Sequence, residues 1–179
     1  INLNVFVAGE GGPAGVTLGE DGPTLAPSVL RDALCALRTD HRVRRVLVEV
    51  ASGYAGVYGA AASGGVESGC GGETQGGEPQ GSEPQGSEPL GGVLVMTAGT
   101  AHEGGLARVY DPTAGLWVGT DYSRALLERF EQDERASILD VYRAIYTRVA
   151  GSHVQLYNAA QFGALDALEM LDELYGRRE

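Results

Sequence analysis

The sequence predicts an α/β fold, a three-layer α/β/α sandwich around a mixed, largely parallel central sheet. Strand patterns alternate with helical patterns along the chain, which is typical of a sheet covered by helices on both faces. The strand predicted at residues 42–50 (RVRRVLVEV) ends in a nearly continuous apolar run, which favours burial on both faces. A length of 179 residues, 43% of them hydrophobic, fits a single domain with a full core.

The first half of the chain supplies two strands and a helix before that central strand. Residues 2–8 (NLNVFVA) alternate polar with apolar side chains and therefore predict a strand. The glycine-rich stretch GEGGPAGV predicts a turn, with a short strand at residues 16–18. Pro27 and Ser28 begin an amphipathic helix, SVLRDALCALRTD, whose apolar residues recur at helical spacing.

The second half repeats the alternation. GGVLVMTAG predicts a strong strand and LARVYD another, with a turn at residues 111–115. Asp121 is the predicted N-cap of the helix YSRALLERF, and a second helix, ERASILDVYRAIYTRVA, ends at Gly151. HVQLY predicts a short buried strand, NAAQFGA a turn, and LDALEMLDELYG a closing helix.

A segment of different composition interrupts this single domain at about residues 63–92. It is rich in Gly, Glu, Pro and Ser, contains the tandem unit EPQGS, and has no large apolar side chain before Leu90. Such a segment cannot bury enough surface to offset its chain entropy. We therefore expect a flexible insertion, a neutral loop expansion rather than an interaction element.

Composition excludes several classes of function. The net charge of −11 argues against a general nucleic-acid binder and against docking on an anionic membrane. No apolar run reaches 18 residues, so we expect no membrane span. Cys35 and Cys70 show no zinc or disulfide spacing, and the three histidines are scattered, so we expect no metal site. Two cysteines without a secretion signal predict an intracellular, cytoplasmic setting.

Three glycine-bearing loops follow predicted strands, where α/β sheets bind ligands. The first, GEGGPAG at residues 9–15, matches G-x-G-x-x-A but leads into no helix, which indicates a plain turn. In the second, ASGYAGVYGAAASG, glycines allow the backbone to approach a ligand and present N–H groups to an anion, with a helix starting at Ala60. In the third, NAAQFGA, Phe162 beside Gly163 either stacks on a ribose or base, or fills the core.

In their order, these pieces resemble a macro domain, the module that binds ADP-ribose, and most closely the divergent members in non-structural polyproteins of positive-strand RNA viruses. The family's diphosphate loop, G-G-V-A-G-A-[IL], is similar to residues 55–61 (AGVYGAA). Its following strand pair is similar to residues 92–99 (GVLVMTAG) and 109–112 (VYDP), and its L-x-x-[AV]-Y-R helix to residues 139–143 (LDVYR). Its second ligand loop is similar to residues 159–163 (AAQFG), and the resemblance spans about residues 43–175.

The resemblance implies binding of ADP-ribose or a related nucleotide, with ADP-ribosylated proteins as further partners, no cofactor, and a location in host cytoplasm for a viral protein. It implies a ligand site made of two loops and one acidic residue. Asp21 is the nearest candidate for the acidic residue that holds the adenine amino group. The implied loop residues are Gly53, Gly56, Val57, Tyr58 and Gly59 in the first loop, and Ala160, Gln161, Phe162 and Gly163 in the second.

One departure from the family concerns catalysis. The family's N-A-A-N strand end, whose last Asn is tied to hydrolase activity, is replaced here by residues 49–52 (EVAS). Ser52 is the candidate catalytic residue, since it could make one hydrogen bond there but not the two-sided amide contact. An ADP-ribosyl hydrolase would need Ser52 or Glu49 to take over positioning, so we expect a binding domain with weak or no hydrolase activity.

The alternative is a non-catalytic interaction or scaffold domain, longin-like or pseudo-macro, that binds a protein or nucleic-acid partner. Strand order separates the macro-like arrangement from the longin-like one. A mixed sheet with helices on both faces favours the macro-like arrangement, whereas an antiparallel meander with helices mainly on one face favours the longin-like one.

Overall fold

The structure, a computed structural model, describes residues 2–19, 21–39, 43–64, 89–104, 109–113, 115–168 and 170. Strands and helices alternate along these residues. In chain order the elements are β1 (Asn2–Ala8), β2 (Glu10–Gly12), β3 (Gly15–Thr17), β4 (Thr24–Leu25), α1 (Pro27–Thr39), β5 (Arg45–Ala51), α2 (Gly56–Ala62), β6 (Val93–Thr97), β7 (Val109–Asp111), β8 (Leu116–Gly119), α3 (Asp121–Gln132), α4 (Ile138–Arg148), β9 (Gln155–Tyr157) and α5 (Ala159–Phe162).

The central sheet has the strand order β1-β5-β6-β9. β1 and β5 are parallel, β5 and β6 are parallel, and β9 pairs antiparallel with β6. The predicted mixed, largely parallel sheet is therefore confirmed, and the strand order is not that of an antiparallel meander. Two small sheets, β2-β3-β4 and β7-β8, lie beside it.

Helices cover both faces of this sheet. The side chains of β5 therefore pack alternately into two cores, one on each face. Val46, Val48 and Val50 pack in one cluster with Leu34 of α1 and Tyr58 of α2. Leu47 and Ala51 pack in the other cluster, which contains the buried side chains of α3 and α4. Every residue from Val46 to Val50 is fully buried, which explains why β5 has a continuous rather than an alternating apolar pattern.

Side-chain caps fix where α3 and α4 begin. The hydroxyl of Thr120 accepts the Ser123 amide at 3.1 Å, and the hydroxyl of Ser137 accepts the Asp140 amide at 3.1 Å. The predicted N-cap, Asp121, is instead the first residue of α3, so the helix begins one residue earlier than expected. Thr and Asp both favour helix starts, so the sequence signal was correct to within one residue.

Three local predictions were wrong. The stretch after β1 is not a plain turn but the hairpin β2–β3. The helix after β5 begins at Gly56, four residues earlier than the predicted start at Ala60. The chain after β9 forms the short helix α5, after which residues 165–167 form a turn rather than the start of the closing helix. Most of the rest of that predicted helix, and residues 65–88 of the predicted insertion, lie outside the described residues.

The state of one cysteine bears on the predicted location. Cys35, on α1, is disulfide-bonded. The sequence contains one other cysteine, Cys70, which lies outside the described residues. Disulfides persist mainly in oxidising compartments, so cysteine usage no longer supports the predicted intracellular location.

Of the helices in the described part of the chain, none combines the length and apolar character needed to cross a bilayer.

Candidate functional site

A small cleft that is open to solvent lies at the carboxyl ends of β5 and β6. Four segments form its walls: the chain just after β5, the chain after β6, the start of α3, and the connection between α4 and β9. Ligands bind at this edge in open α/β sheets because loops and helix starts converge there. The polar residues that line it include Ser52, Glu103, Thr120, Asp121 and Ser152.

Ser52, the predicted catalytic residue, lines this cleft directly after β5. Its side chain is buried, with 3% of the residue exposed, and its hydroxyl donates to the Gly53 carbonyl at 3.1 Å. Glu49, the other residue considered for catalysis, lies further back in β5 and is fully buried. It accepts a hydrogen bond from the Asn4 side chain at 3.2 Å and is not among the cleft-lining residues. The structure therefore brings Ser52 to the cleft but not Glu49.

Glu103 is the most highly connected side chain of the cleft. Its carboxylate accepts the Thr100 amide at 2.8 Å, the His153 amide at 3.2 Å, and the Nδ1 atom of the His153 ring. These hydrogen bonds, the Thr100 amide first, hold the pKa of Glu103 down to about 2. The carboxylate is thus ionised near neutral pH and ties the loop after β6 to the chain that enters β9.

The turn between β5 and α2 is held to the same residue. The Tyr54 amide donates to the Glu103 carbonyl at 2.6 Å. Tyr54 has a backbone φ of +54°, in the left-handed region that a bulky side chain rarely occupies. Such conformations persist only where surrounding contacts impose them, and they cluster at functional sites. The strained turn lies two residues beyond Ser52, at the edge of the cleft.

The two glycines of the predicted diphosphate loop have a packing role in the structure. Both lie within α2 and are buried. A Cβ atom at Gly59 would lie 2.0 Å from the Tyr157 ring, and one at Gly56 would lie 2.4 Å from the Ala101 amide nitrogen. The absent side chains therefore let α2 approach β9 and the loop after β6. They do not leave backbone open to a ligand.

The remaining residues of that first loop are also used inside the protein. Tyr58 is buried, its hydroxyl accepts the Val16 amide at 2.8 Å, and it donates to the Leu25 carbonyl. Gly53 is buried against β2, since a Cβ atom at Gly11 would lie 2.0 Å from the Gly53 carbonyl oxygen. Val57 is half-buried on α2. Ser52 is therefore a lining residue of the cleft, whereas the five residues predicted for the first loop are not.

The second predicted loop lies at the opposite end of the sheet. The side-chain amide of Asn158 donates to the carbonyls of Leu90 at 2.6 Å and Val93 at 2.7 Å, beside the amino end of β6. The Gln161 carbonyl accepts the Gly92 amide at 2.8 Å. Because β9 runs antiparallel to β6, the loop after it cannot reach the carboxyl ends of β5 and β6. The two loops therefore do not form one site.

The side chains of this second loop confirm that separation. Phe162 is buried in the core between the sheet and α3–α4, and the Arg45 guanidinium lies 5.8 Å from its ring centroid. Of the two roles considered for Phe162, the structure shows the core one. Ala160, Gln161 and Gly163 are exposed and do not line the cleft.

Asp21 does not join the cleft lining either. It is exposed, in the turn between β3 and β4 that the Leu18 amide closes on the Pro23 carbonyl at 3.0 Å. The role implied for Asp21 by the resemblance therefore has no counterpart in the arrangement of the described cleft.

Sequence reasoning missed the acidic side chains of the cleft. Glu103 follows the strand GGVLVMTAG, and its position after a buried strand was a usable signal. Asp121 was noticed, but only as a helix cap. His153 was dismissed as scattered, because its contact with Glu103 spans 50 residues of sequence. In the described ranges, no group of three or more His, Cys, Asp or Glu side chains could hold a metal ion.

Comparison with known proteins adds no assignment. No protein-family model matches the chain, and no curated protein matches it in sequence. The fold and the cleft are therefore the basis on which a function can be proposed.

Proposed function

We propose that the domain binds ADP-ribose or a related ribose-containing nucleotide in the cleft at the carboxyl ends of β5 and β6. The observation that supports this most strongly is the position of the cleft. It opens where two parallel strands end between two helical layers, and hydroxyl and carboxylate groups from four chain segments converge in it.

The chemistry of the cleft suits a sugar. A ribose presents neighbouring hydroxyls, each able to donate and accept a hydrogen bond. The Glu103 carboxylate is a strong acceptor for such hydroxyls, and the Ser52 and Thr120 hydroxyls have further lone pairs. Bonds to a charged acceptor are stronger than neutral ones, so we expect Glu103 to be the main sugar contact.

The same geometry supports binding more than hydrolysis. The Ser52 hydroxyl donates a hydrogen bond to the Gly53 carbonyl. An activated nucleophile would instead donate to a general base. Glu49 is buried away from the cleft. We therefore propose weak or no ADP-ribosyl hydrolase activity. Because the cleft opens to solvent, ADP-ribose attached to another protein is a feasible ligand as well.

The second candidate function is a non-catalytic interaction domain. Leu127 of α3 is 63% exposed and Tyr146 of α4 is 53% exposed, so large apolar side chains face solvent on the helical layer that contains α3 and α4. Scattered exposed apolar residues are common in monomeric proteins, which makes this the weaker candidate. The mixed sheet favours the pseudo-macro version of this candidate over the longin-like one.

Calorimetric titration with ADP-ribose tests the main proposal. We expect one site per chain, and we expect Glu103→Gln to weaken binding about tenfold because a charged acceptor becomes neutral. The matched control is Gln161→Ala, an exposed change at the other end of the sheet, which should leave affinity unchanged. No heat at millimolar ligand, or an equal loss in both variants, would contradict the proposal.

A further inference from the structure

We infer that Gly11, in the hairpin β2–β3, is a positioning residue for the cleft, so that ligand affinity depends on a hairpin outside the described cleft lining. This inference rests on the proposed function, because it concerns how the binding site for that ligand is held in place. It also gives a role to the glycine motif after β1, which the proposed function does not use.

The first observation is a close backbone contact between the hairpin and the turn after β5. A Cβ atom at Gly11 would lie 2.0 Å from the Gly53 carbonyl oxygen and 2.9 Å from the Gly53 amide nitrogen. Only glycine, which has no Cβ atom, lets β2 lie this close to the turn. The same carbonyl oxygen accepts the hydrogen bond of the Ser52 hydroxyl at 3.1 Å. The hairpin therefore sets the position of the group that orients the Ser52 side chain in the cleft.

The second observation is that the hairpin is itself fixed to α2. The buried Tyr58 hydroxyl accepts the Val16 amide at 2.8 Å and donates to the Leu25 carbonyl. Val16 is fully buried on β3, and it is the residue that pairs with Gly11 across the β2–β3 ladder. The anchor at Val16 thus lies directly opposite Gly11 and holds it against Gly53.

The third observation is the strain in the turn that Gly11 contacts. Tyr54 has a φ of +54°, a conformation that persists only where surrounding contacts impose it. One such contact is with the loop after β6, where the Tyr54 amide donates to the Glu103 carbonyl at 2.6 Å. The other is the contact of β2 with Gly53, one residue earlier. A displaced hairpin would release the turn and change the position of Ser52 relative to Glu103.

The hairpin offers a matched pair of substitutions. The φ angles of Gly11 and Gly12 both lie outside the left-handed region, so neither backbone excludes alanine. A Cβ atom at Gly12 would meet nothing within 4 Å among the described residues, whereas one at Gly11 would overlap Gly53. Gly12→Ala is therefore the same change on the same strand without the contact.

The experiment combines calorimetric titration with ADP-ribose and amide hydrogen exchange, both on the full chain. We expect Gly11→Ala to weaken ADP-ribose binding roughly tenfold, as for the loss of one hydrogen bond to the ligand. Gly12→Ala should leave the affinity unchanged. Gly11→Ala should also speed exchange of the Tyr54 amide more than exchange of the amides within β5. A purely structural destabilisation would instead speed exchange throughout the core.

A second measurement uses the unmodified protein and does not depend on the folding of a variant. Coupling between two parts of a protein is reciprocal, so bound ADP-ribose should slow exchange of the Val16 amide in the hairpin. Equal affinities of the two alanine variants, or unchanged Val16 exchange in the saturated complex, would overturn the inference and leave the proposed binding site intact.

Failure of the proposed function would look different. No binding of ADP-ribose to the unmodified protein at millimolar concentration would overturn the proposed function. The Tyr54 amide would then still report on the hairpin, since its exchange is measured without ligand. Equal exchange of this amide in the unmodified protein and in Gly11→Ala would overturn the positioning role itself.

Discussion

The two ends of the central sheet contain the two loops that the sequence assigned to one ligand site, and they differ in what their polar groups contact. At the amino end, Asn158 and Gln161 close the structure on itself through bonds to the start of β6. At the carboxyl end, Ser52, Glu103 and Asp121 surround open space. A glycine-containing loop beside a strand is therefore weak evidence for a ligand until it is known which end of the sheet the loop occupies.

The glycines of α2 and the glycine after α5 have different structural roles. In α2, Gly56 and Gly59 permit close packing against the loop after β6 and β9. At the amino end, Gly163 has a φ of +127°, which terminates the short helix α5. Neither use involves a ligand, although both place glycine where a phosphate loop would also need it.

The largest expected effect is at the packing contact of α2. Gly59→Ala should destabilise the protein by about 3 kcal/mol, because the new methyl group overlaps the Tyr157 ring and outweighs the gain in helix propensity. Urea unfolding followed by circular dichroism measures it. Gly12→Ala is the matched control, since a Cβ atom there would meet nothing within 4 Å, and it should change stability by less than about 0.5 kcal/mol.

If Gly59 instead served a ligand, Gly59→Ala would be well tolerated in the free protein and harmful only to binding. Truncating the contacted ring tests the packing explanation directly. Combined with Tyr157→Ala, the Gly59→Ala change should cost far less than it does alone, and strict additivity of the two changes would contradict the account.

The second prediction concerns the amino end. Asn158→Ala should cost about 2 kcal/mol, because it removes two hydrogen bonds to the carbonyls of Leu90 and Val93 and places alanine at a φ of +65°. Asn158→Gly retains the backbone freedom and should lose only the hydrogen bonds, about 1 kcal/mol. Thermal unfolding separates the two variants. A loss of ligand affinity without loss of stability would place the ligand at this end instead.

The third prediction is a pH dependence at the carboxyl end. The folded-state pKa of Glu103, about 2, lies below its ordinary 4.5, so its contribution to stability is present above pH 4.5 and is lost as pH falls toward 2. Because the side chain is partly exposed, we expect about 1 kcal/mol after discounting for solvent. The measurement is the urea midpoint of wild type against Glu103→Gln. The difference between the two should shrink below pH 4, and a constant difference would contradict this role.

The smallest effect on stability should come from Ser52→Ala. The change removes one hydroxyl of a buried side chain without altering its packing, so we expect a loss of about 0.5 kcal/mol. Ligand affinity should fall by a larger factor than stability, since Ser52 lines the cleft. Unfolding and titration of the same sample compare the two losses, and an unchanged affinity would remove Ser52 from the site.

Much of the fold was predictable because it depends on local patterns. The strand β1 was predicted at its observed bounds, and the continuous apolar run of β5 correctly indicated burial on both faces. The start of α2 was not predictable, since Gly56 and Gly59 weaken a helical pattern and only their contact with Tyr157 explains them. The N-cap of α3 was missed by one residue because Thr and Asp are both good caps.

The site was less predictable, since it depends on contacts between distant segments. Ser52 was identified from its place after β5, which is a local signal. Glu103 and His153 meet across 50 residues, and no pattern in either segment announces the pair. The antiparallel direction of β9 placed the second loop at the wrong end for a ligand, and strand direction cannot be read from a three-residue strand.

The most direct test of the central claim is an amide chemical-shift titration of the isotope-labelled chain with ADP-ribose. The account predicts that the amides of Ser52, Gly99, Glu103 and Thr120 shift in a saturable way, while those of Asn158, Gln161 and Gly163 stay in place. Saturable shifts confined to residues 158–163, or no saturable shifts at either end of the sheet, would contradict it.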